Sequence, residues 1–254
     1  MSMQPPLLRY HQAVMDLLSW EPYISAEAVA ALAAAEERCG FKLPAAVREW
    51  YSIGDVRRVT SDIDSLDWFL THLQPPGSNW GAHAVGPNLC IGGDGGDGSY
   101  ILLLTGEDDP PILEQNEPAY GDFDLHPIAD HFSLFVMLYA HYWSTWLLHW
   151  SNVATGPMQL DYLREHFREG PSNRPDGARP LYTFYNAGML LIVEPGGDAS
   201  VREFAANWSL RAETEESFSA ALQRLWLIPG IAQETPQRLR PSVQRVVDHL
   251  RAGQ

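Results

Sequence analysis

The middle of the chain lacks basic residues. No lysine or arginine occurs between residues 59 and 163, although this segment holds 14 aspartates and glutamates. The whole chain has 32 acidic and 17 basic residues, so the segment accounts for nearly all of the net charge of −15. A field of one sign on this scale repels nucleic acid and anionic membranes and attracts a basic partner. Composition alone also allows the alternative that these acids only solvate the surface.

Cysteine is scarce, and no export signal is evident. Cys39 and Cys90 are far apart and lack metal-ligand spacing, so neither a disulfide framework nor a zinc site is expected. The first residues contain no basic segment followed by an apolar one, so we expect no secretory signal and a cytoplasmic protein. The basic residues form no concentrated stripe, which argues against a nucleic-acid partner.

One uncharged segment raises the question of membrane insertion. Residues 132–150 contain no formal charge over 19 residues, close to the minimum for a bilayer span. The segment also contains His141 and His149 and is rich in aromatic residues. We therefore predict a buried or interface helix here and no membrane span.

The chain lacks the common sequence motifs of catalysis. It has no G-x-S-x-G elbow, no P-loop and no C-x-x-C pair. The glycines and aspartates of residues 92–98 match a dinucleotide-binding pattern and nearly match a calcium-binding repeat. An apolar run follows them instead of the helix that a dinucleotide site needs, and the repeat occurs once. We therefore expect a tight turn between two strands, where glycine permits positive φ.

One local cluster has acid/base or metal-ligand character. It consists of Asp124, His126, Asp130 and His131. Carboxylates beside imidazoles can poise a general base near neutral pH or hold a metal. Asp130 and His131 equally suit the start of a helix. We expect no catalytic residue, no metal and no cofactor, and keep a metal-dependent hydrolase using Asp124, His126 and His131 as an alternative.

Hydrophobic periodicity predicts a series of helices and strands. Three N-terminal helices are predicted within residues 6–19, 26–39 and 44–51, the second capped by Ser25 and ended by Gly40. Further predictions are short strands at 88–91, 100–104, 112–113 and 208–212, a helix at 160–168, a hairpin of 181–185 with 189–193, a helix begun by Thr214 and a last helix at 241–251. The sequence shows no evident internal repeat.

A pattern of residues joins the second and third predicted helices. Its members are Glu36, Cys39, Gly40, Leu43, Pro44, Val47, Trp50, Tyr51 and Gly54. This pattern resembles the N-terminal signature of the SUKH superfamily, which groups fungal cell-wall synthesis regulators with bacterial immunity proteins. Ile53 stands where the family usually has asparagine. Residues 89–92 with the glycine tract resemble the strand–turn–strand of the family, and residues 132–135 its closing helix.

The resemblance implies an α+β fold in which an antiparallel sheet carries N-terminal helices and a closing helix. It also implies a binding protein without catalytic residues. Bacterial members of the family typically neutralise the toxic domain of a polymorphic toxin, often a nuclease or a deaminase. The acidic segment agrees independently, since a nuclease needs a basic cleft and an inhibitor steered to that cleft should be acidic.

We therefore expect a non-enzymatic immunity protein that binds a basic toxin domain through an acidic face. The residues expected to steer the partner are Asp94, Asp97, Glu107, Asp108, Asp109, Glu114, Glu117, Asp122 and Asp124. The possible aromatic anchors are Trp68, Trp80 and Tyr120. A regulatory adaptor that binds a cellular protein remains the main alternative.

The ordering of elements predicts an α+β chain in two parts. Helices, then strands, then a helix and a second mixed block fit α+β better than βαβ alternation. The resemblance covers about residues 25–150, and the charges become mixed after residue 156. We predict a SUKH-like domain over residues 1–155 and a smaller α+β extension or second domain over residues 156–254.

Overall fold

The computed structural model describes residues 8–56, 63, 65–73, 88–93, 98–116, 124–142, 150–173, 180–196, 204–229, 231, 245, 248 and 252. Within these residues the chain is an α+β protein with two antiparallel sheets, as predicted. Contacts divide it into two compact units. The first unit comprises Met1–Gln12 with Glu21–Ala140, and the second comprises Ala13–Trp20 with His141–Gln254.

Helices and strands are numbered in chain order. The helices are α1 (Gln12–Leu17), α2 (Ala26–Cys39), α3 (Ala45–Ser52), α4 (Leu66–His72), α5 (Phe132–Tyr142), α6 (Leu160–His166) and α7 (Glu215–Leu225). The strands are β1 (Asn88–Gly93), β2 (Gly98–Leu103), β3 (Ile112–Asn116), β4 (Asp124–Ala129), β5 (Trp150–Met158), β6 (Arg168–Glu169), β7 (Tyr182–Asn186), β8 (Met189–Pro195) and β9 (Phe204–Ala212).

The caps of α2 lie where the sequence places them. The Ser25 hydroxyl accepts a hydrogen bond from the Ala28 amide at 3.2 Å, which satisfies one of the unpaired donors of the first turn. Gly40 ends the helix at φ 73°, and its amide donates to the Glu36 carbonyl. Because a left-handed residue at this position favours glycine, the predicted end of α2 is confirmed.

The sheet of the first unit has the order β1-β2-β3-β4 with antiparallel neighbours. The predicted pair of strands around the glycine tract is confirmed as β1 and β2, while the turn residues 94–97 lie outside the described residues. A strand begins at Gly98, whereas a dinucleotide-binding site needs a helix there, so the match to that pattern does not mark such a site. The sequence analysis missed β4.

The uncharged segment forms a buried helix as far as the structure describes it. Every residue from 132 to 140 in α5 is buried, and the Phe135 ring packs edge-on against Tyr100 at 5.0 Å. A helix that is apolar on all sides is stable when it lies in the core. The helix does not reach residue 150 as predicted, because Trp150 begins β5. No helix among the described residues has both the length and the apolar character needed to cross a membrane.

The second unit is built on a five-stranded sheet of order β5-β9-β8-β7-β6. The predicted hairpin is confirmed as β7 and β8, with Gly188 at φ 67° in its turn. β5 pairs with β9 over nine residues and is an edge strand, where Pro157 removes no hydrogen bond from the ladder interior. Phe184, Trp208 and Phe218 are buried in the core formed with α6 and α7.

This division into units replaces the predicted one. A boundary between residues 155 and 156 would cut β5, which is paired along its whole length with β9. Residues 13–20 also belong to the second unit, where the Leu17 carbonyl accepts a hydrogen bond from the Gly188 amide at 2.7 Å. The second unit is therefore nearly as large as the first, and not a small extension.

The two units share an order of elements that the sequence analysis did not detect. In each, a helix of seven residues precedes a four-stranded meander and an 11-residue helix. The short helices read LDWFLTH and LDYLREH. In both, the final histidine stacks on the aromatic ring four residues earlier, and its Nδ1 lies 2.8 Å from that residue's carbonyl oxygen. The similarity is one of topology and of this helix ending.

Candidate protein-binding surface

The loop between β2 and β3 presents two of the predicted steering residues. Glu107 and Asp108 are exposed there. The Asp108 carbonyl accepts a hydrogen bond from the Ala46 amide at 2.9 Å, so the loop backbone covers the first turn of α3. The Asp108 carboxylate lies 3.5 Å from the Arg9 guanidinium, an exposed ion pair that adds little stability. The loop thus holds two carboxylates at the surface on a fixed backbone.

Asp109 has a different role from its neighbours. Its carboxylate accepts hydrogen bonds from the amide of Ser133, at 2.9 Å, and from the Ser133 hydroxyl. These contacts cap the first turn of α5 from 24 residues earlier in the chain. The Asp109 carbonyl also lies 3.3 Å from His131 Nδ1. Because this carboxylate already satisfies helix donors, we assign Asp109 to the fold and no longer to partner steering.

Replacing Asp109 by alanine should destabilise the first unit by about 1–2 kcal/mol, the usual cost of a lost helix cap. Glu107→Ala is the matched control in the same loop, and we expect a change within roughly 0.5 kcal/mol because Glu107 is exposed. Urea unfolding followed by tryptophan fluorescence measures both. Equal effects of the two substitutions would contradict the capping role.

The remaining predicted residues are dispersed. Glu114 is half-buried in β3, opposite Tyr100 and His126, and Trp68 is 38% exposed on α4 with its indole stacked on His72. Asp124 begins β4, but its side chain is outside what the structure describes. The predicted residues that lie outside the described residues are Asp94, Asp97, Glu117, Asp122, Trp80 and Tyr120. Of the predicted residues whose side chains the structure describes, only Glu107 and Asp108 are exposed neighbours.

The negative charge is concentrated in one unit. The residues of the first unit include 19 acids and 6 bases, a net charge of −13, whereas those of the second unit include 13 acids and 11 bases, a net charge of −2. A cation approaching the first unit therefore meets a field that the second does not supply.

The structure gives no support to a metal centre in the part of the chain that it describes. Among those residues, no group of three or more histidines, cysteines, aspartates and glutamates is arranged to hold a metal ion. His126 lies on β4 opposite Glu114, while His131 lies at the start of α5 beside the Asp109 carbonyl.

Two carboxylates stabilise the first unit through contacts that the sequence analysis did not predict. Glu49 accepts hydrogen bonds from the amides of Arg9, Tyr10 and His11 at 2.8–2.9 Å. These amides precede α1, and residues 8–11 are not part of the helix, contrary to the prediction, since α1 begins at Gln12. The contacts join residues about 40 positions apart, so no local pattern indicates them.

Glu36 is the second of these carboxylates and is 3% exposed. It accepts hydrogen bonds from Lys42 and the Leu43 amide, each at 2.9 Å, and from Arg48. Burial acts to raise the pKa of this carboxyl, but the hydrogen bonds from Lys42, Leu43 and Arg48 outweigh it and the pKa lies below its usual value. Glu36 is part of the SUKH-like pattern, and its contacts show a structural role that ties α2 to α3.

No protein-family model, curated protein or solved structure matches the chain. The SUKH resemblance therefore stays a prediction from the residues that carry it.

Proposed function

We propose that the chain is a non-enzymatic immunity protein that binds and neutralises a basic toxin domain in the cytoplasm. The observation that carries this proposal is the charge asymmetry, with a net charge of −13 in the first unit and −2 in the second. Electrostatic complementarity on this scale raises the rate of association and discriminates against acidic partners. The SUKH-like pattern supports the same class of function.

The loop between β2 and β3 suits such a role. Its backbone is tied to α3 through the Asp108 carbonyl and to α5 through the Asp109 carboxylate. A loop fixed at two points loses little conformational freedom on binding, which lowers the entropic cost of association. Glu107 and Asp108 are thereby presented as a pre-organised pair of charges.

Neutralising this pair should slow association without unfolding the chain. We expect Glu107→Gln with Asp108→Asn to reduce the association rate several-fold at low ionic strength and to weaken its dependence on salt. The backbone contact of Asp108 and the cap from Asp109 are retained. The measurement is stopped-flow association, at low and high salt, with an inactivated variant of a basic toxin domain that the purified wild-type chain captures in a pull-down.

The matched control removes two exposed charges from the second unit, as Glu165→Gln with Glu213→Gln. It should leave the association rate closer to that of the wild type. If both double variants slow association equally, net charge matters but the loop does not. An unchanged rate in the loop variant at low salt would contradict the steering role of Glu107 and Asp108.

Protection of cells tests the function itself. A host producing the toxin domain should resume growth when it also produces the wild-type chain, because a neutralised toxin damages nothing. A regulatory adaptor gives no protection. Failure to protect, together with recovery of a housekeeping protein in a pull-down with the purified chain as bait, would replace the immunity proposal by the adaptor.

A further inference from the structure

Exposed apolar side chains cluster at the start of α2. Among the described residues, the large hydrophobic side chains exposed to solvent are Tyr23, Ile24, Val29, Trp68 and Leu227. The first three lie within seven residues of chain and are 56%, 39% and 42% exposed. Single exposed apolar residues are ordinary, whereas a large exposed apolar patch marks a site of interaction.

The segment before α2 is held firmly by the end of α3. Tyr23 accepts a hydrogen bond from the Gly54 amide at 3.0 Å, Ile24 forms a β-bridge with Ile53, and the Ser25 amide donates to the Ser52 carbonyl. The Tyr23 ring lies directly over Gly54, since a Cβ there would come within 2.0 Å of the ring. Tyr23 is thus a rigid aromatic group at the surface, the kind of residue that dominates binding energy.

The apolar surface continues along α2. Ile24 precedes the N-cap Ser25, and Val29 is the fourth residue of α2. Apolar side chains at these two positions commonly pack together as a hydrophobic staple. Ala26 and Ala33 are exposed and lie within about 60° of Val29 around the helix axis. Together with Tyr23, these four residues form what we call the α2 surface.

The α2 surface belongs to the acidic unit. Glu21 and Asp55 are exposed and are close in sequence to Tyr23 and Gly54, Glu27 is exposed in the first turn of α2, and the first unit as a whole has a net charge of −13. A partner that buries this surface therefore needs basic residues around an apolar centre. A second copy of the chain would bring the same carboxylates to the contact, which disfavours self-association.

We propose that the α2 surface is the apolar anchor site at which the basic toxin domain docks. The proposal rests on the proposed function and deepens it, because it separates two tasks within the first unit. Charges such as Glu107 and Asp108 act at long range on the rate of encounter. The α2 surface makes the short-range contacts that set the rate of dissociation.

The test uses four variants of the full chain and the same inactivated toxin domain as the association measurement. Val29→Lys places a cation in the apolar surface, and Tyr23→Ala removes the aromatic anchor. Gly54→Ala retains Tyr23 but forces its exposed ring to move. Ala34→Lys is the matched control, since Ala34 is exposed on the same helix about 140° from Val29.

We expect Val29→Lys and Tyr23→Ala each to raise Kd about tenfold or more through faster dissociation, and Gly54→Ala to raise it in the same direction. Ala34→Lys should stay within about twofold of the wild type. Circular dichroism should show that all four variants are folded.

If the wild type protects cells and binds but Val29→Lys and Tyr23→Ala do so equally well, the docking site is overturned while the immunity function stands. If the wild type protects against no toxin domain, both fail. A homodimer in sedimentation analysis that Val29→Lys dissociates would assign the surface to a second copy and overturn the proposed occupant.

Discussion

Replacing Glu36 by alanine should destabilise the first unit by about 3 kcal/mol, because a buried acceptor with several donors is lost. The Leu43 amide would lose the oxygen to which it donates, and Arg48 would lose the carboxylate that it contacts. The Lys42 contact contributes little, since Lys42 is 77% exposed. Urea unfolding monitored by tryptophan fluorescence gives the change in the free energy of unfolding.

The adjacent residue provides the control. Glu37 carries the same charge on the same helix but is exposed, so Glu37→Ala should change the free energy of unfolding by no more than about 0.5 kcal/mol. Glu36→Gln keeps an acceptor for the Leu43 amide and should fall between the two. Equal effects of Glu36→Ala and Glu37→Ala would show that the buried contacts do not support the fold.

The contribution of the Glu36 carboxyl to stability should depend on pH. The folded-state pKa of Glu36 lies below its value of 4.5 in the unfolded chain. Its contribution to stability is therefore present above pH 4.5 and is lost as the pH falls through the lower, folded-state pKa. The difference in stability between the wild type and Glu36→Ala should shrink over that range.

The sequence predicted elements whose signals lie within a few residues. Ser25 and Gly40 bound α2, Thr214 caps α7 through the Ser217 amide, and Gly188 turns the β7–β8 hairpin. In each case the side chain or the positive φ acts on its own turn. Such signals are readable without knowledge of the rest of the fold.

The missed elements depend on distant partners. Trp150 continues an uncharged run and was predicted to be helical, yet it forms a strand because β9 pairs with it at Ala212. β4 contains Pro127, a residue that argues against a central strand, but β4 lies at one edge of its sheet, where proline is tolerated. α4 has only seven residues, too few to establish a helical period.

The acidic site was predictable as a segment but not as a surface. Asp108 and Asp109 are adjacent and chemically identical, yet the first is exposed and the second caps α5. Only the position of Ser133 separates their roles, and that position is set by the packing of α5 in the core. Tyr23 and Val29 were not distinguished from core residues because periodicity indicates which residues are apolar, not which apolar face remains uncovered.

Lowering the pH from 7 to 5 should reduce the free energy of unfolding of the first unit, because His11 is protonated more readily in the unfolded chain. The imidazole is fully buried between the rings of Trp50 and Phe132, at centroid distances of 5.1 and 5.6 Å. Its Nε2 lies 2.9 Å from the Ala46 carbonyl oxygen, so the neutral tautomer with a proton on Nε2 fits the site. Burial lowers the pKa of His11, against the opposing effects of the Ala46 carbonyl and the charges of Glu49 and Asp109.

The direction of the pH effect follows from that shift. Below the unfolded pKa of 6.5 the unfolded chain binds a proton at His11, while the folded chain stays neutral until its own lower pKa is reached. Between these two values the stability of the fold therefore falls with decreasing pH, by at most about 1.4 kcal/mol per pH unit. Above pH 6.5 the group contributes no dependence on pH.

A phenylalanine at position 11 isolates this contribution. It retains a ring against Trp50 and Phe132 but cannot be protonated, at the cost of the hydrogen bond to Ala46. The difference in the free energy of unfolding between His11→Phe and the wild type should be constant above pH 7, where it reports only that hydrogen bond and packing. Below pH 6.5 the difference should shift in favour of the variant, because the wild type alone loses stability through this group. A difference that stays constant from pH 8 to pH 5 would mean that His11 accepts a proton as readily in the fold as in the unfolded chain, and that the aromatic cage around it does not exclude charge.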